Sequence, residues 1–155
     1  MKIALIGPSG CGKTTQLELH YGSEKDRSMD LGLAFNPLPT ASKMLDWIRN
    51  APPDIVSVSV HHEGLLELAE MKSKFPHVLA DIYFIYLHTD RAVLSERLFR
   101  REGSDQKMPS SELMDAFPRI ANHTIDTTRL QAEEVRSKID DALRLEQQVK
   151  STTSP

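Results

Sequence analysis

Residues 2–14 read KIALIGPSGCGKT, and the passage from an apolar run through glycines into Gly-Lys-Thr decides the architecture. A short apolar run closed by Gly7 predicts a buried strand. Lys13 to Tyr21 predicts a short helix, stopped near Gly22. The turn between them, Gly7-x4-Gly12-Lys13-Thr14, matches G-x-x-x-x-G-K-[ST] at every fixed position, in the strand-then-helix context the pattern requires. Glycines there let successive backbone N–H groups converge on one phosphate chain, and the helix that follows adds its positive end. The expected ligand is ATP with Mg²⁺. Gly7, Ser9, Gly10, Cys11 and Gly12 would line the cradle. Lys13 would reach the β- and γ-phosphates, the Thr14 hydroxyl would bind Mg²⁺, and Thr15 would help at the α-phosphate. The Cys11 side chain is expected to point outward and to do no chemistry.

The remainder of the chain bounds that reading. It has 155 residues, a net charge of −3, 39% hydrophobic and 26% charged residues, which suits one soluble globular domain. The acidic balance argues against a general nucleic-acid or membrane-surface binder. A single cysteine excludes an intrachain disulfide, and no apolar run approaches membrane-spanning length. With no signal-peptide pattern, a cytoplasmic location is the expectation, as monomer or homodimer.

Strand and helix signals alternate along the sequence. Strands are predicted over 28–33, 54–60, 81–87 and 123–126. Helices are predicted over 42–50, 63–75, 92–102, 110–122 and 131–149. This order implies an α/β fold in three layers, with a parallel, five-stranded sheet and helices on both faces. Residues 1–150 would form one domain with a short lid at about 103–110, and 151–155 would fray. Ligands in such folds bind beyond the C-terminal ends of the strands, so residues there are the ones that matter.

Three stretches carry a resemblance to a known group. They are the loop at 7–14, IYFIYLHTDRAVLSERLFRRE at 82–102, and Thr124–Val135. Together they resemble the small phosphate-loop kinases, a group that includes nucleoside monophosphate kinases, shikimate kinase and gluconate kinase. The resemblance implies phosphoryl transfer from ATP to a small molecule. Arg97, Arg100 and Arg101 would then lie on the helix entering the lid, with Arg101 nearest to it. Preplaced cations there would stabilise charge on the transferring group. A solvated basic face paired with Glu96 and Glu102 is the other reading of these arginines. Arg119 and Lys107 are secondary candidates, and residues 107–117 are similar to a lid segment of gluconate kinases. Asp30 would help with Mg²⁺ and acceptor activation, or else merely end a surface strand. Asp126, with Thr127, Thr128 and Arg129, would border the nucleotide base, or form a helix-capping cluster. Asp90 would cap the helix after its strand, and Trp47 would pack in the core beside Met44, Leu45 and Ile48, or else line the acceptor pocket.

The sequence departs from the group in two places. The strand at 54–60 runs into His61-His62-Glu63, without the metal-binding aspartate often found there. The stretch between Leu33 and Asp54 is short and holds one arginine, Arg49. Two functions therefore stand. One is an ATP-dependent kinase acting on a nucleoside monophosphate or small hydroxyl metabolite. The alternative is a nucleotide-dependent NTPase or switch acting on a protein partner.

Overall fold

The computed structural model describes residues 2–8, 10–22, 40–51, 54–59, 62–103 and 108–153. Their order is β1 (Lys2–Gly7), α1 (Lys13–Tyr21), α2 (Ala41–Asn50), β2 (Ile55–Ser59), α3 (His62–Lys74), a 3₁₀ turn (Pro76–Leu79), β3 (Ile82–His88), α4 (Arg91–Glu102), α5 (Ser111–Ile120), β4 (His123–Asp126) and α6 (Ala132–Thr153). The expected strand over 28–33, with Asp30, lies outside the described residues, as do Ser9, Lys107 and His61.

The described strands form a four-stranded parallel sheet in the order β2-β1-β3-β4, where five strands were expected. β1 is central, flanked through Ile3↔Ile55 and Ile3↔Tyr83. Side chains alternate across it. Ala4 and Ile6 join Val56, Val58, Phe84 and Tyr86 in a core closed by Met44 and Ile48 of α2, Leu65 and Leu68 of α3, and Phe117 of α5. Ile3 and Leu5 join Ile55, Ile85, Leu87 and Ile125 beneath Leu17 of α1 and Val135 and Ile139 of α6. A strand with both faces covered must be apolar at consecutive positions, which is what the runs in β1 and β3 record. Trp47 packs against the first core, as expected.

Local chemistry sets several element ends. Ser110 accepts the Leu113 N–H through its hydroxyl, capping α5, and Gly22 and Gly103 stop α1 and α4 at positive φ. α6 continues to Thr153, into the stretch expected to fray, because neither glycine nor proline interrupts it before Pro155. Asp90 occupies the first cap of α4 without a capping bond from its carboxylate, contrary to expectation. Its own N–H is instead taken by the Thr128 hydroxyl at 2.9 Å. No helix among the described residues is long and apolar enough to cross a membrane.

Candidate active site

The loop after β1 is wrapped so tightly that two of its glycines are required. A Cβ on Gly7 would sit 2.6 Å from Cys11 Sγ and 3.0 Å from the Leu87 carbonyl oxygen. Gly10 has φ near +89°, and a Cβ there would press on Leu94 of α4 at 3.3 Å. α4 thus lies directly on the loop through Leu94 and Leu98, both fully buried. Wrapping also turns residue 11 inward. Cys11 is 2% exposed and packs with Ile3, Leu5 and Leu17, which corrects the expectation that it faces outward.

Lys13 is 5% exposed, an unusual position for a lysine, and its ammonium is satisfied by the loop itself. Nζ donates to the carbonyls of Gly7 at 2.6 Å and Pro8 at 3.0 Å, and lies 3.7 Å from Cys11 Sγ. The carbonyls of Gly7 and Pro8 therefore face the lysine, and the Cys11 N–H closes the turn onto the Pro8 carbonyl at 3.3 Å. Thr14 and Thr15, in the first turn of α1, are both exposed, so their hydroxyls are accessible.

A pocket of about 250 Å³ opens beside the loop, walled by Gly10, Cys11, Gly12, Thr15, Gln16, Arg97, Thr127, Leu130, Ala132 and Val135. Three helices, α1, α4 and the start of α6, meet there with the turn that follows β4. Gln16 ties two of them together: its Nε2 donates to the Ala132 carbonyl at 3.0 Å. Thr89 and Thr127 share a hydroxyl–hydroxyl bond of 2.8 Å, and Thr127 also donates to the His88 carbonyl at 3.0 Å, joining the ends of β3 and β4.

The three arginines of α4 separate. Arg97 lines the pocket, and its guanidinium donates to the Gly10 carbonyl at 3.4 Å. Arg100 is exposed and paired with Glu96, which is the solvated reading. Arg101 is exposed in the last turn. Arg119 is exposed near the end of α5. Arg49 is committed elsewhere. Its Nε donates to Asp81 at 2.7 Å, and its second nitrogen to the Val78 carbonyl at 2.6 Å. Asp81 precedes β3, so this pair sits at the sheet edge opposite the loop. The hydrogen bond from Arg49 holds the Asp81 carboxyl below its usual range, and Asp81 raises Arg49 in turn. β2 ends at Ser59 and α3 begins at His62, so Glu63 falls in that helix's first turn, as expected.

Asp126 lies at the end of β4 and accepts from both the N–H (3.0 Å) and hydroxyl (2.6 Å) of Thr128. Those bonds lower its pKa, with smaller help from His88 and Arg129. The carboxylate shapes the turn, and the next residue, Thr127, is the one that walls the pocket. Gln16, Leu130 and Ala132 escaped the reading of the sequence. Gln16 follows Lys13 by less than one helical turn, and that spacing was the available signal.

The residues fit a triphosphate with its metal ion. A crowded cradle that excludes side chains at Gly7 and Gly10, a buried ammonium and two accessible hydroxyls at a helix N-terminus are what such a ligand needs.

No protein-family model matches the sequence, and no curated protein sequence matches it. Among solved structures, a gluconokinase from Sinorhizobium meliloti 1021 aligns over 99% of this chain and 97% of its own, with a TM-score of 0.61 and 18% identity. That likeness is one of fold: the chain is built as a small phosphate-loop kinase is built.

Proposed function

We propose that this protein is an ATP-dependent small-molecule kinase, moving the γ-phosphoryl group of Mg-ATP to a hydroxyl or phosphate of a small acceptor. The observation that carries this is the buried Lys13 ammonium within the glycine cradle, with Arg97 packed against the same loop. Gly10, Gly12 and Lys13 would hold the phosphates, Thr14 the Mg²⁺, and Thr15 the α-phosphate. The pocket walled by Gln16, Thr127 and Leu130 would take the base. The metal ion, when bound, neutralises charge building on the transferring group. Lys13 orients the β- and γ-oxygens and stabilises them in a site whose water is limited by its own burial. Arg97 and Arg101 supply further positive charge. Asp30 would activate the acceptor hydroxyl.

Arg49 is engaged by Asp81 at the far edge of the sheet, so it does not serve an incoming acceptor phosphate. A hydroxyl acceptor thus fits better than a nucleoside monophosphate. The test is ADP formation from Mg-ATP with and without gluconate, shikimate, simple sugars and nucleoside monophosphates. A rate stimulated by one acceptor, and lost in Lys13→Ala, is expected. Slow hydrolysis indifferent to the whole panel, alongside intact ATP binding, would instead favour a switch acting on a protein partner.

A further inference from the structure

His88, Asp90 and Asp126 converge at the C-terminal edge of the sheet, and no phosphate-binding role uses them. Register explains the first contact: His88 of β3 is paired directly with Asp126 of β4. The third group arrives because the Asp90 carboxylate turns away from the helix end it would ordinarily cap. One donor atom from each of the three lies within 4.8 Å of the others.

The imidazole is held in a fixed orientation. Tyr86 Oη and His88 Nδ1 are 3.1 Å apart, and the two rings meet edge-on with centroids 5.6 Å apart. With Nδ1 on the phenol, Nε2 is left for Asp90, whose Oδ1 lies 3.5 Å from it. That separation is long for a charge-assisted hydrogen bond, which closes to about 2.8 Å. Two donors each about 2.1 Å from one tetrahedral ion stand about 3.4 Å apart, which is the spacing seen. Asp126 uses Oδ1 for both of its bonds to Thr128. Its other oxygen remains for a ligand.

We propose that His88, Asp90 and Asp126 form a binding site for a divalent transition-metal ion, separate from the Mg²⁺ of the phosphate loop. One imidazole and two carboxylates suit Zn²⁺ better than Mg²⁺, which seldom takes nitrogen. Three donors from one side leave a coordination position open to water or to an anion. Tyr86 is the positioning residue that fixes the ring. The site does not depend on the kinase reading.

The test uses the full chain, ¹⁵N-labelled, titrated with ZnCl₂ against a chromophoric chelator, with side-chain histidine resonances followed in parallel. One equivalent is expected, with the His88 Nε2 resonance displaced. Asp90→Asn and Asp126→Asn should each weaken binding at least tenfold. His88→Gln should abolish it. Tyr86→Phe should weaken it about tenfold while leaving the stoichiometry at one. Zn²⁺ that leaves the His88 resonance in place, or binds Asp90→Asn as tightly as the parent chain, would overturn the proposal. So would stoichiometric binding that moves only other histidines. Asp90 makes no capping bond, so its replacement leaves the fold in place and the result readable.

Discussion

Lys13 organises its own loop before any phosphate arrives, because its three hydrogens are already spent on Gly7, Pro8 and Cys11. Lys13→Ala therefore removes two things at once. The triphosphate loses a charge-assisted partner, which costs about 2 kcal/mol or more and weakens binding roughly 30-fold. The loop also loses its internal brace. Calorimetry with a non-hydrolysable ATP analogue measures the first effect, and an unchanged Kd would refute the assignment of the loop. Gly7→Ala is a different lesion, steric rather than electrostatic. The new methyl meets Cys11 Sγ and the Leu87 carbonyl, so a loss of roughly 1–3 kcal/mol is expected in urea unfolding. Adding Cys11→Ala should recover part of that loss but not all, since the Leu87 backbone cannot withdraw. Full recovery would show that the carbonyl contact is harmless. At this scale the sequence was legible where chemistry is local: G-x4-G-K-T identified the cradle unaided. It was not legible for Cys11 or Arg49, nor for which of the α4 arginines would reach the loop. Their roles depend on which neighbour the fold delivers, and a one-dimensional pattern carries no record of that.

Elements test how charge and burial couple to pH. Arg49 of α2 clamps Asp81 before β3, and the folded carboxyl titrates below its unfolded value. Its contribution is complete above the unfolded pKa of about 4 and disappears as pH falls through the folded one. The pair is partly exposed, so Asp81→Asn should cost only about 0.5–1 kcal/mol at pH 7. The difference between parent and variant should shrink in denaturant midpoints as pH falls below about 4 and through the folded pKa. A persistent gap there would point to packing rather than charge. His20 of α1 has the opposite logic. Burial, then the charge of Arg136, holds its pKa low, with Asp140 opposing. The fold keeps it neutral, so the unfolded chain binds the extra proton. Stability should therefore fall as pH drops through about 6.5 and level off below the folded value. His20→Gln should be less sensitive than the parent between pH 7.5 and 5.5, and equal slopes would sink this reading. Helix and strand spans were readable because α2 and α5 carry clean apolar stripes and β1 and β3 continuous apolar runs. The 3₁₀ turn at Pro76–Leu79 went unseen, since a single proline-led turn has no period to detect.

At the scale of the molecule, the loop grows from the central strand, so whatever it binds is coupled to the whole sheet. Mg-ATP at about one hundred times its Kd should add roughly 2.7 kcal/mol to stability. For a chain of this size that corresponds to a rise in Tm of roughly 5–10 °C, absent in Lys13→Ala. No rise for the parent chain at saturating nucleotide would exclude ATP as the ligand. The layer architecture was readable from alternation of strands and helices alone. Strand order was not, because parallel partners are chosen by packing of the crossover helices rather than by adjacency in the sequence.

That same order has a consequence for how the molecule is made. β1 finds its neighbours at Ile55 and Ile82, far downstream, and precedes both during synthesis. At roughly 5–20 residues per second the nascent chain carries an unpaired apolar strand for several seconds before either partner emerges. Two long loop closures must then precede the first productive contacts, which slows folding and leaves a sticky segment exposed to other chains. Overexpressed at low chaperone capacity, this protein should lose material to aggregates whose protected core is residues 2–7, the stretch on which the nucleotide loop is built.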